Sequence, residues 1–275
     1  METFAKEALD KYDVFHFHGA LTFSNSYSYP DLPLLEGKKK VMNFWGSEVR
    51  QASIARRSNP YVRVKTMEET EIVERLRLLA NHFEHVIVPD YEILEYVGPY
   101  FKHVHLVHYV VDHRGLKPIY PNCQEKKPLI VHAPSDPYIK GTEFVEQAIE
   151  RLAGRANFEF KLIQKMPHAE AMKWYEKADI IVDQVCLGVY SILSIESMLL
   201  GKPVIAYIRD DLRMQYPPEL PVVSANPYTI ELTLLYLLQH PEKRQRLGER
   251  GREYAIKVHS PEKIASQLMA IYKQL

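Results

Sequence analysis

The sequence predicts an α/β protein built as two doubly wound domains facing a crevice, and three observations carry that reading. Short apolar, β-branched runs alternate with longer segments of helical periodicity, which is the pattern of a sheet layered with helices. Several of these runs are apolar throughout rather than alternating, as parallel strands covered on both faces must be. The stretch HRGLKPIYPNCQEKKP (113–128), with three prolines, one glycine and clustered charge, then divides the chain into two such series.

Before that boundary the strand-like runs are YDVFHFHG (12–19), KVMNFWG (40–46), HVIVP (85–89) and HVHLVHY (103–109). After it come PLIVHAP (128–134), FEFKLIQ (158–164), ADIIVDQ (178–184), KPVIAYI (202–208) and LPVVSA (220–225). GTEFVEQAIERLAG (141–154) and HAEAMKWYEKA (168–178) repeat apolar residues every three or four positions and read as amphipathic helices. A further helix is expected over about 189–200. The tail reads as two or three helices broken near Gly251 and at Ser260–Pro261, with Ser260 as cap and Pro261 at the first position of the last helix. The domains are therefore expected at 1–115 and 116–255, with a helix in 256–275 packing back toward the first.

Composition narrows the classes of function. Hydrophobic residues are 46% and charged residues 25% of 275, so a packed core is expected rather than disorder. Lys+Arg and Asp+Glu are equal at 35 each, which argues against a broad nucleic-acid surface. Cys123 and Cys186 form no metal or redox motif and fit a reduced, cytoplasmic setting. The start, METFAKEALDKYD, lacks the apolar core of a signal peptide, and no apolar run is long enough to cross a bilayer. No Walker loop, G-x-G-x-x-G or nucleophile elbow is present. His103, His105 and His108, with His82 and His85, lack acids or cysteines at zinc spacing and read as surface or packing residues rather than a metal site. Lys38, Lys39 and Lys40, with Arg50, Arg56, Arg57 and Arg63, make the first half locally basic. The plain reading is a solvated face; peripheral contact with an anionic lipid or acceptor is the alternative.

Two stretches carry candidate chemistry. In GVYSILSIESMLLGKPVIAY (188–207) a single acid, Glu196, has Ile192, Leu193, Leu199 and Leu200 one turn away, so it falls on or beside the core face of its helix. A charge there needs a partner. An internal ion pair and a ligand diol stand as equal readings. The start of this helix follows a strand and offers free N–H groups, which favour an anion such as phosphate. The second stretch is HAPSDPYIKGTEFVEQAIERL (132–152). Here a strand ends at Ala133, Ser135 to Pro137 turn the chain, and Lys140–Gly141 precede a helix with Thr142 as cap. A lysine at such an edge neutralises phosphate as a point charge, although an isolated one reads first as a solvated loop residue.

Together the two stretches resemble the carboxyl-terminal domain of retaining glycosyltransferases with the GT-B fold, of the large family called group 1. Lys140–Gly141 matches the family's diphosphate-contacting pair. Glu196, Ser197 and Met198 followed by Gly201, Lys202, Pro203 and Val204 matches its ribose-binding glutamate and the turn after it. The resemblance covers most of 128–275 and implies two Rossmann-like domains, with an amino-terminal domain that is reduced. It departs from the pattern at Gly188, where the first glutamate of a pair would stand, and at Ser135, where an arginine often accompanies the lysine.

What the resemblance implies is a metal-independent transfer from a nucleotide-diphosphate sugar, the co-substrate, with no resident cofactor. Lys140 and Glu196 would carry the reaction. Diphosphate contacts would come from Gly141 and the N–H groups around Tyr190, Ser191 and Ile192, and base contacts from Gln164 and Lys165. Asp183 and Gln184, just before the loop, are placed to supply polar contacts to the sugar; a turn acid at a strand end is the equal reading of Asp183. On the acceptor side, DVFHFHG and NFWGSEVR resemble the family's strand ends and offer His18, Gly19, Glu48 and Arg50. Trp45 replaces a histidine there. Ser47 as a helix cap and Glu48 in the first turn give the bland account of that segment. The acceptor, a glycan, a lipid-linked molecule or a small molecule, is undetermined, as are a partner chain or homo-oligomer and attachment to the inner face of a membrane. Two alternatives stand beside the transferase: a noncatalytic nucleotide-sugar-binding subunit, and a GT-B epimerase or hydrolase.

Overall fold

A computed structural model describes residues 2–275. The chain separates into two compact units, one of residues 1–55, 64–109 and 264–275, the other of 56–63 and 110–263.

The first unit is built on a parallel sheet of β1 (Val14–His18), β2 (Lys39–Asn43), β3 (His85–Val88) and β4 (His103–Leu106), in the order β1-β2-β3-β4. Each strand adds to the same edge, so right-handed crossovers leave one face without a connection to cover it. The helix Pro261–Tyr272 fills that face: its Ile264 and Ile271 pack with Val41, Ile87 and Val107. Segment 56–63, which the sequence placed in the first domain, groups with the second unit. The buried Asn59 amide donates to the Cys186 carbonyl at 2.8 Å and the Leu187 carbonyl at 3.1 Å.

The second unit holds β5 (Leu129–His132), β6 (Glu159–Leu162), β7 (Ile180–Gln184) and β8 (Val204–Ala206), all parallel, in the order β6-β5-β7-β8. Both faces are covered, which is why β5, β7 and β8 are apolar over most of their length, whereas the edge strand β6 carries Glu159 and Lys161. On one face Ile130, Ile180, Val182 and Ile205 pack with Val145, Ala148, Ile230 and Leu234. On the other, Val131 and Ile181 meet Ala171, Tyr175 and Leu200. The run 220–225 contributes only a bridge, Val223 to Ile205.

Three local expectations are corrected. Gly251 does not break the tail: the helix Pro241–His259 runs through it, because the absent side chains at Gly248 and Gly251 let this helix lie close against Gly201 and Met198. Thr142 does not cap its helix. Gly141 holds the cap position at φ 75° and Asp136 caps the short helix before it, accepting from the Ile139 N–H at 3.1 Å. Ser47 caps nothing, since 47–49 form a turn and the next helix begins at Ala52. By contrast Ser260 meets the Lys263 N–H at 3.4 Å, at the start of the last helix.

Candidate functional site

In the second unit the strand order reverses between β5 and β7, β5 being followed outward by β6 and β7 by β8. The connections leave to opposite sides there, opening a crevice at the carboxyl ends of the two strands where open α/β sheets take their ligands. The segment after β5 brings Lys140; the last residues of β7 bring Asp183 and Gln184; the helix Ile192–Leu199 starts beside them.

Asp183 is the centre of this arrangement. It is fully buried and accepts from the Lys140 ammonium (2.8 Å), the Ser191 N–H (2.8 Å) and the Ser194 hydroxyl (2.6 Å), with the Ser191 hydroxyl at 2.7 Å. Burial pushes its carboxyl up, but Lys140 and the hydroxyl donors outweigh burial and hold it below its usual value. The Asp183 carboxylate therefore takes part of the positive field that the helix start and the lysine create together, the Ser191 N–H and one donor of Lys140. Lys140 is itself 8% exposed and also meets the Ser191 hydroxyl at 3.0 Å. An ammonium has three donors, so one is left for a ligand.

The surrounding loops are held as firmly. Gly141, at φ 75°, packs so tightly that a Cβ would stand 2.6 Å from the Cys186 sulfur. Behind it lies His132, whose Nδ1 donates to the Val182 carbonyl at 2.8 Å while Nε2 meets the Thr142 hydroxyl at 2.9 Å. Burial pushes its imidazole down to about 4, so the ring is neutral at pH 7. Burial also pushes the Cys186 thiol up to about 11, which makes it inert.

Gln184, expected to touch sugar, spends its amide on the loop. It donates to the Val189 and Tyr207 carbonyls, both at 2.7 Å, and accepts from the Leu187 N–H at 2.6 Å. Gly188 sits at φ 91°, and a Cβ there would stand 2.7 Å from Cγ of the buried Arg209. The stem of Arg209 thus fills the space beside Gly188, and its guanidinium pairs with Asp211, Nε lying 3.0 Å from the carboxylate. Tyr190 is buried, its hydroxyl 3.1 Å from His259 Nε2, so only its backbone is available to a ligand.

Glu196 lies a turn inside the helix at its half-buried edge and accepts from Nε2 of the exposed His168 at 2.8 Å. Burial pushes its carboxyl up, opposed by His168. The acid is thus not sunk in the core, and its partner belongs to the helix His168–Lys177. Ser135, Gln164 and Lys165 are exposed, Lys165 at φ 51°.

Among the residues expected on the acceptor side, the first unit makes two structural. The Arg50 guanidinium is buried and paired twice with Glu92, at 2.6 Å each, and Glu92 also accepts from the Tyr96 hydroxyl at 2.8 Å. Glu48 turns back to accept from the N–H groups of Trp45 and Gly46. His18 stacks on Trp45, ring centres 5.5 Å apart, and Tyr109 stacks on Trp45 at the same distance. Gly19 leaves β1 at φ 65° with its N–H on the Asn43 carbonyl at 2.8 Å.

The residues that sequence reasoning missed are Ser194, His132 and His168. Ser194 follows Ser191 by three positions, and this helical spacing would have placed both hydroxyls on one side. His168 left no signal, because its contact with Glu196 spans two separate helices.

Residues 140–270 match the family model for glycosyl transferase-like domains. Among solved structures, sucrose-phosphate synthase of Thermosynechococcus elongatus superposes with a TM-score of 0.66 at 16% identity over 99% of this chain and 76% of its own. HepE of Anabaena, in complex with UDP, does so with a TM-score of 0.68 at 12% identity, over 100% of this chain and 82% of its own. A TarM variant of S. aureus, in complex with fondaparinux, alpha-GlcNAc-glycerol and UDP, gives 0.64 at 13% identity over 90% of this chain and 54% of its own. At these identities the likeness establishes the fold. No curated protein sequence matches the chain.

Proposed function

We propose, from the premise that this chain has the GT-B fold and carries a glycosyl transferase-like domain at 140–270, that it moves a sugar from a nucleoside diphosphate sugar to an acceptor. The observation that carries the proposal is the meeting of Lys140 with the start of the helix Ile192–Leu199 at the switch between β5 and β7, with Glu196 a turn further in. HepE is described with both UDP and UDP-glucose, which makes a uridine nucleotide the first donor to try.

In this reading the donor diphosphate lies at the helix start. The open donor of Lys140 and the N–H groups of Ile192 and Leu193 stabilise the charge that grows on the leaving phosphate. Asp183 is a positioning residue rather than a sugar contact: it accepts a hydrogen bond from the Lys140 ammonium and fixes it in place, with one donor left for the diphosphate. Glu196 exchanges its bond to His168 for the two hydroxyls of the ribose. Attack on the same face as the departing phosphate, with that phosphate taking the acceptor's proton, gives retention and needs neither a protein nucleophile nor a metal for the transfer.

Nucleotide-sugar binding without transfer is favoured by one specific feature, Arg209 filling the space beside Gly188 where a sugar-holding carboxylate would stand. Incubation of the pure chain with a panel of nucleotide sugars separates the readings. Free nucleotide together with glycosylated product supports transfer; binding with no turnover on any donor overturns it. Lys140→Met is expected to lower turnover by about 10²–10³, the loss usual for one charge-stabilising donor, and unchanged turnover in that variant would remove Lys140 from the mechanism.

A further inference from the structure

We propose that Glu84, His85 and His103 form a site for a divalent transition-metal ion of the zinc class on the sheet of the first unit. His85 opens β3 and His103 opens β4; they are register partners, so both side chains leave the same face, with ring centres 4.5 Å apart. Glu84 directly precedes β3. One ligand atom from each of the three lies within 4.8 Å of the others. Zinc bonds of about 2.0–2.2 Å at tetrahedral angles hold ligand atoms roughly 3.3 Å apart, so small side-chain movements close the site. Glu84 and His103 are exposed, so nothing in the core holds their side chains from making them.

The surroundings support the same reading. His85 Nδ1 lies 2.9 Å from His105 Nε2. An imidazole that donates through Nδ1 keeps the lone pair of Nε2 for an ion, and such an outer hydrogen bond is what orients ligating histidines. Two imidazoles and one carboxylate suit Zn²⁺, and also Co²⁺ and Ni²⁺, with a fourth position for water. The nearby lysines compete little. Lys102 pairs with Glu84 at 3.0 Å, but both are well exposed and such pairs are weak. Lys38 and Lys40 are tied to the carbonyls of Leu9 and Leu35, at 3.0 and 2.9 Å. The ion would bind β3 to β4 and takes no part in the donor site, so this inference stands or falls apart from the transferase reading.

The test uses the full chain, stripped with chelator and titrated with Zn²⁺ by calorimetry and with Co²⁺ by visible absorption at about pH 7.5, above the ordinary imidazole range. One ion per chain is expected, with a cobalt spectrum of tetrahedral type. Affinity should fall at least ~10-fold in His103→Gln and in Glu84→Gln, both at exposed positions that leave the fold intact, and further in His85→Gln/His103→Gln. Lys102→Gln should bind more tightly than the parent, because it frees the Glu84 carboxylate. Absence of stoichiometric binding overturns the site. So does unchanged affinity in His103→Gln, which would put the ion on other histidines.

Discussion

The two units are each a four-stranded parallel sheet with one buried ion pair between a base and an acid, yet only one has the makings of a donor site. In the first unit strands follow one another in sequence order, so no crevice opens at the strand ends, and Arg50–Glu92 lies buried in its interior. In the second the order reverses at β5 and β7, and Lys140–Asp183 stands at the reversal with one ammonium donor unspent. The same pairing of charges is scaffold in one place and candidate chemistry in the other. What differs is the winding of the chain around it.

The largest expected effect tests the scaffold half of this contrast. Arg50→Ala leaves the Glu92 carboxylate buried without its counter-charge and should cost about 3–5 kcal/mol of folding stability. Denaturant unfolding measures it, and Arg50→Met/Glu92→Met should recover most of the loss. If the folded variant also loses nucleotide affinity, the distinction between the two pairs fails.

Acid should separate the units next. The folded imidazole of His132 sits at about 4, below its unfolded value of 6.5, so the unfolded chain binds the extra proton between those values. Stability of the second unit is therefore complete above pH 6.5 and falls as pH drops to 4, by about 3 kcal/mol. In the first unit His16, held by burial and then His18 at about 4, titrates in the same sense. Asp90, pushed by burial and then Glu92 to about 7, titrates in the opposite one: protonated in the folded unit between its unfolded value and pH 7, it adds stability as pH falls. His18, His85 and His105 of the first unit are lowered by burial in the same sense as His16, so each unit should lose stability in acid through its own histidines. Trp45 lies in one unit and Trp174 in the other, so single-tryptophan variants followed by fluorescence report each separately. His132→Gln should flatten the slope at Trp174 and leave that at Trp45 unchanged.

A smaller effect is expected at Gly188. Gly188→Ala forces a Cβ onto a left-handed backbone and into the Arg209 stem, at a cost of about 1–3 kcal/mol. Arg209→Ala in the same chain should relieve the steric part, read as a shift in Tm. The smallest effect sharpens the donor side. Glu196→Gln should weaken UDP binding about 10-fold, or ~1.4 kcal/mol, by calorimetry, with stability little changed because the isosteric amide keeps the bond to the exposed His168. Unchanged affinity would end the ribose assignment.

Much of the fold could be read before any coordinates. Eight of the nine apolar runs are strands, and the helices at 142–152, 168–177 and 192–199 lie inside their expected spans, because periodicity and continuous apolar character are local properties. Lys140 and Glu196 stood out for a different reason, their place in two motifs of recognisable order. Less could be said where a side chain answers to a distant partner. Arg50 reads as a surface cation until Glu92, 42 positions on, buries it. Asp183 reads as a strand-end acid until three elements converge on it. Gln184 reads as a polar group free for sugar until the loop it closes is seen.

By itself the sequence determined two α/β series, their strands and the helices at 142–152, 168–177 and 192–199, together with two motifs that resemble those of a glycosyltransferase donor domain. Each of these rests on residues within a turn or two of one another, or on the order of short segments along the chain. Tertiary structure alone decided that β5 and β7 mark a reversal while β1 to β4 do not, that residues 56–63 group with the second unit, and that Arg209 fills the space beside Gly188. It decided as well that an internal carboxylate already holds the lysine. Hydrogen bonds, ion pairs and close packing act over a few ångströms of space, whatever the separation along the chain.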